Sequence, residues 1–229
     1  MDWRSVRNLL CVRLDNMGDV IMCVPAMRAL KNTIPGCRLS LLTSAAGRTL
    51  APVLEDVDDV IAFDAPWVKA AKQQADSRYI GGAVRTLREN AYDAAVIFTT
   101  FSQSPLPAAM MLFMADIPLR LAFCRENPYQ LLSHWVWERE PEKGQRHEVE
   151  RQIALVETIG CAADDTRMRL RITGTAMRSV RRMLAGLAGF HERCWFVVHP
   201  GATASSRRYP PEQFAAAVDA PVIVTPDRE

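Results

Sequence analysis

From Asn8 onward the chain repeats one unit: a short, nearly continuous apolar run, a polar turn, then apolar residues at helical spacing. Runs of four to eight apolar residues between helical patterns are the mark of parallel strands covered by helices on both faces. Asn8–Leu14 reads as the first strand, and Val20–Thr33 as a helix carrying Val20, Ile21, Val24, Met27 and Leu30 on one side. Pro35-Gly36 stops it. Strands follow at Arg38–Thr43, Asp59–Phe63, Ala94–Thr99 and Leu119–Phe123, with helices at Ala45–Leu54, Trp67–Asn90 and Pro107–Met114.

Between Arg125 and Arg146 the pattern dissolves into Pro, Glu, Trp and charged residues, which reads as a long loop or flap with Trp135 and Trp137 as its anchors. Helices His147–Ile159 and Thr175–Ala188 come next. After Gly189 a second cycle starts: a strand at Trp195–His199, a loop at Pro200–Tyr209, a helix at Pro210–Val218 and a strand at Pro221–Thr225. Two parallel strands cannot bury both faces of a sheet, so this second unit reads as begun and not finished. The expected division is 1–174 for a first α/β domain, 175–192 for a linking helix region and 193–229 for the start of another domain.

With 49% hydrophobic and 24% charged residues, the chain can build an ordinary globular core. Its formal charge of +2 argues against a whole-molecule attraction for nucleic acid, so an anionic partner must be met by local clusters. The cysteines, Cys11, Cys23, Cys37, Cys124, Cys161 and Cys194, form no C-x-x-C pair and several lie in apolar runs. Reduced, buried thiols explain them better than disulfides or zinc, and the scattered histidines add no metal site. No apolar stretch approaches the length of a membrane span, and the N-terminus reaches a strand too soon for a signal peptide. A cytoplasmic protein is expected, touching a membrane peripherally from inside.

Two stretches carry candidate chemistry. Arg13-Leu14-Asp15-Asn16-Met17-Gly18-Asp19-Val20 lies where the first strand feeds the first helix, the ligand-binding edge of an open α/β sheet. Gly18 permits a tight turn and close approach of a substrate. Asp19 follows at the helix start, where the dipole favours an ionised carboxylate that could take a proton from an attacking hydroxyl. The competing reading is a helix cap by Asp19 or Asp15; position alone favours the cap, since caps are common and catalytic bases rare. An aspartyl-phosphate reading is weak, because Asp15 and Asp19 are too far apart for a D-x-D pair, and there is no G-x-G-x-x-G or Walker motif. The second stretch, His199 to Pro210, joins a strand end to a helix start through small hydroxyl residues and two arginines. Such a loop suits a phosphorylated ligand, or is simply a solvated basic turn.

The order V-R-L-D-N-M-G-D-V, then P-A-M-R-A-L, then V-V-H-P-G-A…R-R-Y-P resembles glycosyltransferase family 9, the ADP-heptose:lipopolysaccharide heptosyltransferases and their relatives. Ile117-Pro118-Leu119-Arg120 and His147-Glu148-Val149-Glu150-Arg151 are similar to further family segments. The resemblance implies a GT-B architecture of two Rossmann-like domains, the first complete and the second only begun, the family's remaining donor-site motifs lying beyond Glu229. It implies inverting transfer of heptose from ADP-heptose to the lipopolysaccharide inner core. Asp19 would be the base; Thr203, Ser205 and Arg207 would hold the donor phosphates; Gly18, Arg120 and Arg125 would meet an anionic lipid-linked acceptor. No cofactor and no metal are implied. Ala122 departs from the family's R-x-G pattern, which bears on Arg120. The alternatives are a relative using another nucleotide-sugar, or an inactive acceptor-binding fragment.

Overall fold

The computed structural model describes residues 2–68, 76–187, 191, 201–202 and 208–218. The proposed donor-phosphate residues Thr203, Ser205 and Arg207, and the strands expected at 195–199 and 221–225, lie outside these residues. The chain divides into two units, Met1–Thr173 and Gly174–Glu229.

The first unit is a parallel sheet of six strands: β1 (Asn8–Arg13), β2 (Arg38–Thr43), β3 (Asp59–Ala62), β4 (Ala94–Ile97), β5 (Leu119–Cys124) and β6 (His134–Trp137). Their order is β3-β2-β1-β4-β5-β6, with every pair parallel. The chain therefore winds outward from β1 in one direction, then crosses to β4 and winds outward in the other. The carboxyl ends of β1 and β4 flank that reversal, where an open α/β sheet leaves a crevice.

Residue alternation assigns the two faces. Leu9, Cys11, Leu39, Leu41, Val96, Leu121 and Phe123 point into one core, shared with α1 (Met17–Thr33) and α5 (Glu148–Glu157). Leu10, Val12, Leu42, Ala95, Ile97 and Ala122 point into the other, shared with α3 (Ser77–Glu89) and α4 (Leu106–Met114). Both faces are covered, so the strands need apolar residues at nearly every position rather than at every second one. Each fully buried leucine contributes roughly 1.5–3 kcal/mol, and Ala122 sits fully buried among them. The short α2 (Ala45–Arg48) follows β2 directly, capped by Ser44 Oγ, which accepts from the Gly47 amide at 3.1 Å. A methyl group on Gly47 would lie 2.1 Å from Thr43 Oγ1, so only glycine lets α2 pack on that strand end.

Two expectations need correction. The first helix begins at Met17, a turn earlier than the apolar spacing indicates, because polar first-turn residues carry the cap rather than the core stripe. The segment expected as a loop contains β6: His134–Trp137 is an edge strand of four residues whose side chains are alternately half-buried and exposed, too short, and set among too many charged residues, to register as a strand in sequence. Trp135 does anchor it, its indole N–H donating to the Cys124 carbonyl at 2.8 Å, but Trp137 is 63% exposed. The cysteines Cys11, Cys23, Cys37, Cys124 and Cys161 are all free and buried.

In the second unit, α6 (Gly174–Ala185) and α7 (Pro211–Val218) are described. Tyr209 packs edge-on against Phe214 with ring centres 5.0 Å apart, and Arg208 Nε donates to the Ala202 carbonyl at 2.6 Å.

Candidate active site at the sheet reversal

Arg13 is the last residue of β1 and continues the Leu9–Cys11 alternation, so its side chain is sent toward α1 and α5. It is completely buried. A guanidinium in that position must be paired, and it meets three carboxylates. Its Nη1 donates to Glu148 Oε1 at 2.9 Å and its Nη2 to Asp19 Oδ1 at 3.2 Å. Its Nε lies 3.0 Å from Asp15 Oδ2, a charge contact out of line for a hydrogen bond. Burial alone would lower the Arg13 pKa; the surrounding negative groups, among them Asp15, Glu148 and Asp19, outweigh it and raise the value. Asp19 and Glu148 occupy the first turns of α1 and α5, whose positive ends both point at this spot.

Each carboxylate has a further support. Asp15 Oδ1 accepts from Gln103 Nε2 at 2.6 Å, which ties the β1–α1 connection to the loop after β4. Glu148 Oε1 accepts from Gln152 Nε2 at 2.6 Å, and that amide also donates to the Thr99 carbonyl at 3.0 Å. Asp19 Oδ2 accepts from the Asn16 amide at 3.2 Å, closing a capping box on α1. Asp19 is therefore a helix cap and an ion-pair partner at once, while Asp15 pairs with Arg13 and caps nothing. Beneath them Cys23 Sγ donates to the Asp19 carbonyl at 3.2 Å; burial, as the main cause, pushes this thiol up to about 12.

The Asp19 side chain retains 26% of its exposure, against 13% for Asp15 and 17% for Glu148. A carboxylate offers about four lone-pair directions, of which two are taken here, so Asp19 can still accept from an incoming hydroxyl. Gly18 lies beside it, exposed, with nothing within 4 Å of where a Cβ would stand. It is inside the helical first turn rather than at a tight turn, which corrects the reading of Gly18 as a turn former; the open approach over it remains.

A cavity of about 230 Å³ opens on the same edge, lined among others by Phe101, Gln103, Ser104, Phe123 and Arg125. Arg125 follows β5, and its Nη2 donates to the carbonyls of Phe101 at 3.0 Å and Glu140 at 2.7 Å, which brings it to the same rim as Gln103. A second buried arginine, Arg151, supports this wall from below. It pairs with Glu138 and Glu140, donates from Nε to the Thr99 carbonyl at 2.9 Å, and lies 4.7 Å over the Phe123 ring.

Arg120 is elsewhere. It stands at the start of β5, the opposite edge of the sheet. Its Nε donates to the Leu131 carbonyl and its Nη2 to the Gln130 carbonyl, both at 2.7 Å, while Nη1 serves the carbonyls of Ile117 and Pro118. A guanidinium spent on main-chain carbonyls at that edge has nothing left for an acceptor beside Asp19. The acceptor contact expected of Arg120 is corrected accordingly: its work is to tie the β5–β6 connection. Sequence reasoning in turn assigned no role to Arg13, Glu148, Gln103 or Gln152. The one available signal was an arginine at a core-facing strand position, which has to find buried carboxylates.

Among the described residues no cluster of three or more His, Cys, Asp or Glu side chains is arranged to hold a metal ion. No described helix is long and apolar enough to cross a membrane.

A family model for glycosyltransferase family 9 (heptosyltransferase) matches residues 81–221, more than half of the chain. The chain belongs to that family. Among solved structures, the glycosyl transferase family 9 protein from Veillonella parvula DSM 2008 is 16% identical with a TM-score of 0.69, covering 93% of this chain and 58% of that one. E. coli heptosyltransferase WaaC with ADP is 18% identical (TM-score 0.62, covering 93% and 63%), and E. coli ADP-heptose lps heptosyltransferase II is 20% identical (TM-score 0.58, covering 80% and 51%). The fold is thus the α/β GT-B type of these proteins. This family 9 chain spans less than two thirds of the length of each. A search of the curated proteins returns no match. Asp19 precedes the segment matched by the family model.

Proposed function

We propose that this chain forms the acceptor-side part of an inverting glycosyltransferase that moves a heptose from ADP-heptose to the inner core of lipopolysaccharide. The observation that carries the reading is the Asp19 carboxylate: fixed by Arg13 and by its own helix start, still partly open, at the sheet reversal of a family 9 fold. In this reading Asp19 takes the proton from an acceptor hydroxyl as its oxygen attacks the anomeric carbon. The C–O bond to the diphosphate breaks on the opposite face, so the configuration inverts. The donor's ADP moiety is supported by the likeness to heptosyltransferase structures bearing ADP and ADP-2-deoxy-2-fluoro heptose.

Thr203, Ser205 and Arg207 would hold the departing diphosphate, hydroxyl and guanidinium groups being suited to its charge. The acceptor, an anionic lipid-linked saccharide presented at the cytoplasmic face of the inner membrane, would lie over Gly18 and along the cavity rimmed by Arg125. Neither a cofactor nor a metal is part of this scheme.

The decisive variant in the full-length enzyme is Asp19→Asn, since asparagine keeps an oxygen for the Asn16 amide and loses the base. ADP release from ADP-heptose should fall by about 100- to 10,000-fold, the usual worth of general base catalysis, with an unchanged circular dichroism spectrum. Turnover near the wild-type level would remove Asp19 from the chemistry.

A further inference from the structure

The guanidinium that holds Asp19 does not stand alone. Its three nitrogens each face a different carboxylate, and two of those carboxylates are tied by amide side chains to the loop that follows β4. Facing it are Asp15 from the β1–α1 connection, Asp19 and the Cys23 thiol from α1, and Glu148 from α5. Arg13 is planar and fully buried, so its orientation is set by whichever partners pull on its ends. Asp15 pulls on Nε and Glu148 on Nη1; Nη2, left over, is what Asp19 receives.

We infer that Glu148 is a positioning residue for the transfer reaction, acting through Arg13 to hold the Asp19 carboxylate at the place where the acceptor hydroxyl must arrive. Gln152 is the brace of that arrangement: its amide nitrogen bridges Glu148 Oε1 and the Thr99 carbonyl, and it is completely buried. The acceptor-binding wall after β4 and the base on α1 are thereby linked through α5. The inference rests on the reading of Asp19 as base. It adds that α5, which does not touch the reacting atoms, decides how well that base is aimed.

One readout separates positioning from plain structural support. A small displacement of the base lowers kcat while leaving the donor KM nearly unchanged, and misplacement by about 1 Å costs on the order of 100-fold. A loss of fold alone lowers the amount of active enzyme and the melting temperature, not kcat per folded molecule.

The experiment compares Glu148→Gln, Gln152→Met and Glu150→Gln in the full-length enzyme, using ADP-heptose and the lipid-linked acceptor. Glu150 shares the first turn of α5 with Glu148 but is exposed, so it controls for a general effect on that helix start. Glu148→Gln should lower kcat per folded molecule about 10- to 100-fold and keep the donor KM within about two-fold. Gln152→Met, which retains both charges, should lower kcat by a smaller factor at the same donor KM, and provides the test if Glu148→Gln does not fold. Glu150→Gln should do neither. The inference is overturned if Glu148→Gln or Gln152→Met lowers only the melting temperature, or if Glu150→Gln reproduces their effects. Should Asp19→Asn remain active, the base reading itself fails; should it be inactive while the Glu148 and Gln152 variants turn over normally, only the positioning role fails.

Discussion

Arg13 ends β1 and Arg120 is the second residue of β5, both with their guanidinium groups withdrawn from solvent, at opposite strand ends of one sheet. Their partners differ in kind. Arg13 is met by three carboxylates, and Arg120 by four main-chain carbonyls. Burial works to lower the pKa of each; negative neighbours reverse it at Arg13, whereas at Arg120 nothing does and its value is lowered. Carbonyls can be satisfied by a guanidinium without any excess of charge, which is what closing a loop requires. Three carboxylates on one cation leave negative charge in excess near the surface, which closing a loop does not require. The contrast shows that burial of an arginine says little by itself, and that the charge of its partners sets these two apart.

The largest expected effect that would break or support this contrast comes from replacing each arginine with methionine. Arg13→Met strands three partly buried carboxylates without their cation and should cost up to about 3–5 kcal/mol, read as a fall in the urea midpoint, together with loss of turnover in the full-length enzyme. Arg120→Met should cost less, about 1.5–3 kcal/mol, and leave kcat per folded molecule near wild type. Equal losses of kcat in the two variants would erase the distinction.

A finer effect concerns Arg151, whose partners Glu138 and Glu140 are carboxylates too, Glu138 itself lining the cavity. Burial raises the Glu138 pKa, but its bonds to Arg151 and the Glu140 amide and the charges of Arg151 and Arg146 overcome this and leave it lowered from 4.5. A lowered folded pKa gives stability that is present above 4.5 and is lost as pH falls through the folded value. Unfolding midpoints measured between about pH 3 and 6 should decline toward acid in the wild type and flatten in Glu138→Gln. A slope unchanged by that substitution would show that other carboxylates govern the acid side.

The smallest effect is a chemical one. Cys23 lies under the Arg13 cluster and Cys124 closes β5; burial, the leading cause for both, pushes them up to about 12 and about 11. Neither should react with iodoacetamide at mildly alkaline pH in the native protein or in Arg120→Met. Arg13→Met, by loosening the start of α1, should make Cys23 the first of the two to be alkylated, which peptide mapping would detect.

Most of the first unit was legible in sequence because its strands are covered on both faces and therefore form unbroken apolar runs. β2 was read to the residue, while β6 was missed: an edge strand covered on one side has no such run, and HWVW sits among charged residues. The position of Asp19 at a helix start was also legible. What decides its surroundings was not, since Glu148 lies 129 residues further along and Gln103 in an unpatterned loop. Contacts between residues so far apart follow from the strand order, and a strand order cannot be read from the local spacing of apolar residues. Arg120 was misread for the same reason: a motif gives a residue its neighbours in sequence, not the edge of the sheet on which it stands.

The capping box on α1 has one more consequence. One oxygen of Asp19 accepts from the Asn16 main-chain amide, so a ligand that competes for that carboxylate also pulls on the bond that starts the helix. What arrives at Asp19 is thereby written into a backbone signal. In an isotope-labelled sample, the Asn16 amide resonance should move when a hydroxyl-bearing ligand binds at Asp19 and stay in place when one binds elsewhere.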